Sequence, residues 1–167
     1  MSRRNDAAAF VPTAHAGAGG GGLPFQRICV PVGPSGHDDP TLAAAAGFGL
    51  ATGGRLRVVH VRMWDPAVRG GGGRFYLETS AEATAILERA LASVWARGVA
   101  ASGVVVDAPR QRLTRAIALA ARAWSAEVLV VARRPRTAFG ALCLGGLPEK
   151  LMRDAGCTVL VLRDRQK

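Results

Sequence analysis

The chain has 167 residues, 49% of them apolar and only 5% aromatic, with a formal net charge of +10. That length suits one domain with a tail, and that apolar share excludes a globally disordered chain. No apolar run approaches the ~18 residues of a membrane-spanning helix, so no membrane association is expected.

Residues 1–24 are Ala/Gly-rich and are expected to form a disordered tail. Ser2-Arg3-Arg4 and Ala14-His15-Ala16 outline an export signal, but the apolar stretch between them covers only residues 7–11. A signal needs an apolar region of about 7–15 residues. Residues 27–32 (RICVPV) read as a first strand, with Pro31 near its end because proline cannot donate to a ladder. Gly33-Pro34-Ser35-Gly36 is a turn. Asp38 or Asp39 can cap the next helix, with Pro40 at its first position. Leu42, Ala46, Gly49 and Leu50 share one face of that helix, and Gly53-Gly54 ends it.

Residues 55–62 (RLRVVHVR) are a second strand, apolar enough to be covered on both faces. Residues 63–77 predict a long irregular connection around a run of four glycines. Thr79 or Ser80 caps a helix to about Arg97, with Ala83, Leu87, Ala90 or Leu91, and Val94 facing inward. A third strand covers 101–106. A helix follows over 111–124, with Leu113, Ile117, Ala120 and Trp124 inward and Arg112, Arg115 and Arg122 outward. The fourth strand covers 127–132, a helix runs from about Leu147 to Asp154 and stops at Gly156, and residues 158–162 (TVLVL) form the fifth strand. Residues 164–167 are a charged C-terminal tail.

Strands and helices alternate, which predicts an α/β fold: an open five-stranded parallel sheet, Rossmann-like, with helices on both faces. Two helices per face require a switch point between strands one and four, hence strand order 3-2-1-4-5. Ligand clefts of such sheets lie beyond the carboxyl ends of the strands at that point. The candidate cleft residues are therefore Val32, Gly33 and Ser35 on one side. On the other they are Ala132, Arg133, Arg134, Arg136, Gly145 and Gly146.

The charge is uneven: residues 110–167 hold 12 Lys/Arg against 4 Asp/Glu, and residues 1–109 hold 10 against 8. A basic half attracts phosphates, nucleic acid or anionic surfaces. A nucleic-acid binder using Arg112, Arg115, Arg122 and the 133–136 loop is the weaker reading, because no aromatic stacking set or docking motif accompanies the arginines. Cys29, Cys143 and Cys157 have no metal spacing and fit a reducing, cytoplasmic setting. His37 beside Asp38 and Asp39 could do acid–base chemistry, but no nucleophile, base and orienting group stand together, and a helix cap is the simpler role. His60 lies in a strand and is expected to be packed or partly exposed.

Several segments together resemble the universal stress protein family. They are RICVPV at 27–32, LRVVHV at 56–61, AEVLVVA at 126–132 and LGGLPEKLMRDAGCTVLVL at 144–162. The resemblance covers about residues 27–163 and implies a dimer and, in many members, an ATP site. That site follows a pattern of Gly, two residues, Gly, nine residues, Gly, then Ser or Thr. Aligned on Gly145, this chain has Ala132, Pro135, Gly145 and Gly146. Where members end the first strand Val-Asp-Gly-Ser, it has Val32-Gly33-Pro34-Ser35. Pro135 lacks an N–H and has a fixed φ, so the ring of backbone phosphate donors cannot form as in the family. Arg133, Arg134 and Arg136 bring guanidinium forks to the same loop.

The expected function is a non-catalytic stress-response or regulatory binding protein without family-type ATP binding. The expected partners are a second copy, through the fifth strand (Thr158, Val159, Leu160, Val161, Leu162), and a phosphorylated or acidic small ligand. The alternative is an ATP-binding member that uses the 133–136 loop. An ATP-pyrophosphatase-like enzyme ranks lower: PSGHDD at 34–39 resembles the Ser-Gly-Gly-x-Asp-Ser loop of those enzymes but lacks one glycine and the final serine.

Overall fold

The computed structural model describes residues 10–11, 25–34, 38–66, 73–133 and 146–163. In chain order the elements are β1 (Phe10–Val11), β2 (Arg27–Val32), α1 (Asp39–Thr52), β3 (Arg55–Pro66), β4 (Arg74–Tyr76) and α2 (Ser80–Trp95). After these come β5 (Ala101–Pro109), a 3-10 turn over Arg110–Arg112, α3 (Leu113–Ala123), β6 (Val128–Arg133), α4 (Leu147–Asp154) and β7 (Thr158–Arg163).

Five parallel strands stand in the order β5-β3-β2-β6-β7, the expected 3-2-1-4-5 arrangement. Two further strands correct the expectation of a purely parallel five-stranded sheet. β4 pairs antiparallel with β3, and β1 pairs antiparallel with β5, Phe10 lying opposite Val104. Among the described residues the sheet is therefore mixed and seven-stranded. Where the glycine run predicts an irregular connection over 63–77, β3 continues to Pro66 and turns back through β4, with Trp64 opposite Tyr76. Paired aromatics across a hairpin stabilise it, and glycines are the residues a turn between such arms uses. β5 likewise runs on to Pro109 beside Trp64. Within the expected tail, the apolar pair Phe10–Val11 finds the edge of β5.

The strands are apolar on both sides because both faces are covered. Ile28, Val30, Leu56 and Val58 pack with Leu42, Leu87, Leu91 and Val94 of α1 and α2. Cys29, Val59, Leu129 and Val131 pack with Leu113, Ile117 and Leu151 of α3 and α4. Small residues set the spacing. A Cβ at Gly49 of α1 would come within 2.9 Å of Leu56 Cδ1, so glycine lets that helix lie close on β3. α1 then stops at Gly53, whose φ of 66° suits glycine and whose N–H bonds to Gly49 O.

α2 starts with a reciprocal cap. Thr79 Oγ1 accepts the Glu82 N–H and the Glu82 carboxylate accepts the Thr79 N–H at 2.7 Å. Thr79→Ala is expected to cost about 1 kcal/mol, read as a lower urea midpoint with unchanged slope. The inward residues Ala83, Leu87, Ala90, Leu91 and Val94 are all buried, as the spacing predicts.

Candidate functional site

The switch point lies between β2 and β6. α1 leaves β2 on one face of the sheet, and α4 follows β6 on the other. β2 pairs with β3 along its whole length, to Val32 opposite His60. Its registered pairing with β6 covers only Ile28 with Val128 and Cys29 with Leu129. Pro31 has no N–H to offer a neighbour, so the ladder on this side is broken just where a cleft is needed.

Val32 is buried, and the next residue, Gly33, donates its N–H to Asp38 Oδ2 at 2.7 Å. Asp38 holds the N-cap position of α1 but makes no cap bond. Its φ of −87° and ψ of −6° are helical, whereas capping side chains usually hang from extended backbone. The carboxylate instead clips the turn shut and sits, almost fully buried, at the positive end of the α1 dipole. A Cβ built on Gly33 would lie 3.9 Å from the same oxygen. A carboxylate thus stands beside position 33 although the sequence has none there.

Across the cleft, Ala132 is half-buried, and Arg133 is the last residue of β6, in register with Arg163. Gly146 occupies the N-cap of α4 with φ 102°, a conformation that favours glycine, and its carbonyl accepts the Lys150 N–H. Val32, Gly33, Ala132, Arg133 and Gly146 thus stand at the carboxyl ends of β2 and β6 and the start of α4. Ser35, Arg134, Arg136 and Gly145 lie outside the described residues, as do His37 and Cys143.

Two polar groups stand near the candidate cleft, and of these sequence reasoning named His60 only as a strand residue and did not single out Glu78. His60 is 1% exposed; its Nδ1 lies 3.0 Å from Val32 O and its Nε2 2.7 Å from Glu78 Oε1. The Glu78 side chain is 12% exposed, and its Oε2 accepts no hydrogen bond among the described residues. Only recognition of the hairpin could have brought Glu78 to His60. Beyond them, Arg62 holds Asp107 bidentately at 2.7 and 2.6 Å, and its guanidinium lies 4.2 Å from the Tyr76 ring centroid. The Arg62 hydrogen bonds hold the Asp107 carboxyl below the usual carboxylate range, against the effect of burial.

Burial pushes the Cys29 thiol up to about 12 and raises that of Cys157, so neither is an activated nucleophile. Among the described residues no group of His, Cys, Asp and Glu could hold a metal ion. None of the described helices is long and apolar enough to cross a membrane.

A model of the universal stress protein family matches residues 24–163. No curated protein sequence matches the chain. The fold is similar to that of a universal stress protein in complex with cAMP, at 20% identity and a TM-score of 0.63, covering 84% of this chain and 98% of that one. It is also similar to the universal stress protein from Archaeoglobus fulgidus in complex with dAMP (22% identity, TM-score 0.60, 83% and 98% covered). A third likeness is a family protein from Burkholderia pseudomallei (24% identity, TM-score 0.59, 83% and 96% covered).

Proposed function

We propose that this chain, which belongs to the universal stress protein family, is a non-catalytic regulatory protein whose cleft takes a nucleoside monophosphate rather than ATP. The observation that carries this reading is the Asp38 carboxylate, seated on the Gly33 N–H at the mouth of the switch point. A carboxylate there can accept hydrogen bonds from the hydroxyls of a sugar. The α4 start, and the arginines that the sequence carries at 133, 134 and 136, are groups suited to phosphate. Structures similar to this chain hold cAMP and dAMP. The donor set is short for a triphosphate, because Pro135 has no backbone N–H and Gly146 no side-chain hydroxyl.

The acid–base pair beside the cleft, His60 with Glu78, is buried with both ring nitrogens engaged, which leaves it unsuited to turnover. Calorimetric titration should give saturable binding of AMP or cAMP, with ATP weaker by about tenfold or more. Asp38→Asn should weaken AMP by about tenfold, and Pro135→Gly should tighten ATP. Tighter binding of ATP than of AMP would overturn the reading, as would release of pyrophosphate on incubation.

A second copy is the expected macromolecular partner. Among the described residues β7 pairs only with β6, leaving its other edge bare, and Leu160 there is exposed. A groove of about 230 Å³ lined by Pro148, Glu149, Met152, Val161 and Arg163 runs beside it. An unpaired edge of this kind invites antiparallel pairing about a two-fold axis. Light scattering should report a dimer and Leu160→Lys a monomer; a monomeric parent at high concentration contradicts the assignment. A cytoplasmic setting fits the two free cysteines described.

A further inference from the structure

We propose that the outer edge of β5 is a second self-association surface, fitted to β5 of another copy, and that the chain's own Phe10–Val11 strand keeps it closed. That strand lies antiparallel on the edge, Phe10 opposite Val104 and Val11 opposite Gly103. The edge thus already accepts an extended segment in the antiparallel sense. Two β5 strands related by a two-fold axis would meet in that same sense. The covering strand stops where Pro12 follows Val11, because proline has no N–H to carry a ladder on.

β5 depends on this cover because it lacks the usual guards. Edge strands are blunted by shortness, lysine, proline or a bulge. β5 has 9 residues, and its register with β3 runs unbroken from Ala101 to Pro109, so it has no bulge. Residues 101–106 (ASGVVV) carry no charge and no proline. Val104, Val105 and Val106 are of the β-branched type that pairs well in sheets. Gly103 has no room for a guarding side chain, since a Cβ there would fall 2.7 Å from Leu87 Cδ1. Asp107, tied to Arg62, and Pro109 stand only at the far end. A two-fold pairing of this unguarded stretch with itself would be centred between Gly103 and Val104. Those are the two residues that β1 covers.

Two paired residues hold weakly by themselves, and the tether makes them sufficient. β1 and β2 are the outer members of the row β1-β5-β3-β2. That separation is about 14 Å, at ~4.8 Å for each strand spacing. Residues 12–24 join them and can span ~40 Å when extended. The segment is therefore held near the edge at an effective concentration on the order of 1 mM. A second copy at roughly 1 µM competes at about a thousandfold disadvantage. Lifting the strand removes that disadvantage. With β7 paired between copies at the other end of the sheet, an uncovered β5 lets each copy pair at both edges. The sheet then continues from copy to copy, and association no longer stops at two.

The test is sedimentation velocity of the full chain from roughly 1 to 100 µM. The double variant Phe10→Pro, Val11→Pro removes both N–H groups of the cover and leaves the two core clusters unchanged. The parent should stay at or below a dimer, and the variant should grow beyond it with concentration. In the Leu160→Lys background, which closes the β7 edge, the same variant should stop at a dimer. A synthetic peptide of residues 6–14 at about 1 mM should reverse both associations. The same peptide carrying Phe10→Pro and Val11→Pro should not. A variant with the parent's size at every concentration, or growth that the peptide leaves untouched, would overturn the proposal. So would a parent that grows beyond a dimer with its cover in place. A monomeric parent beside a dimeric variant would support this surface and sink only the pairing through β7.

Discussion

Leu87→Ala is expected to lower stability by about 2–5 kcal/mol, the usual cost of a cavity at a fully buried leucine. Leu87 lies on the inner face of α2 with no exposed surface. What distinguishes it is its partner: a Cβ added at Gly103 of β5 would fall 2.7–2.9 Å from Leu87 Cδ1, Cδ2 and Cγ. Gly103→Ala alone should therefore cost about 1–3 kcal/mol through overpacking. The two substitutions together should cost clearly less than their sum, because the new methyl enters the space the leucine left. Urea unfolding of the four proteins measures this. Strict additivity would mean that α2 and β5 do not meet there.

Asp107→Asn is expected to open the β3–β4 hairpin more easily by about 1–2 kcal/mol at neutral pH, read as exchange of the Leu77 amide bonded to Met63 O. Charged hydrogen bonds reach about 1.5–3 kcal/mol, and partial exposure discounts that figure here. The folded-state carboxyl is depressed chiefly by the hydrogen bonds from Arg62. Its stabilising contribution is therefore present above the unfolded value near 4 and is lost as pH falls through the lower folded value. Parent and variant should begin to converge below about pH 4 and converge fully only once pH has fallen through the lower folded value. A difference that persists there would assign the effect to packing of Arg62 on Tyr76.

The parts legible in the sequence are those where local chemistry and burial agree. α4 spans Leu147–Asp154 as expected because Pro148 sits in its first turn and Gly156, with φ 67°, lies just past its end. The inner face of α2 follows from spacing alone. The order of the five parallel strands follows from the need to cover both faces. The hairpin was not legible, because its glycine run reads as loop and each arm is short. Asp38 shows a different limit. Its residue type announces a cap, but its backbone is helical and its carboxylate accepts the Gly33 N–H instead. Glu78 is recognisable only once β4 has folded the chain back over β3. Of the candidate cleft residues, Gly33 follows the end of β2 and Gly146 precedes α4, because the position of a switch point is fixed by topology and not by any one side chain.

The sheet is not equally deep across its width. β2 ends at Val32 opposite His60, while β3 and β5 run on together to Trp64 and Pro109, joined by β4. Above the level of His60 this leaves a narrow ribbon that the central strand no longer supports. Such a ribbon can open while the base stays folded. The Arg62–Asp107 pair lies within it and the His60–Glu78 contact at its root. The first weakens in acid, as the Asp107 carboxylate takes up its proton. The ribbon is therefore expected to loosen in acid without the molecule unfolding, so a global denaturation curve would report almost nothing of the change.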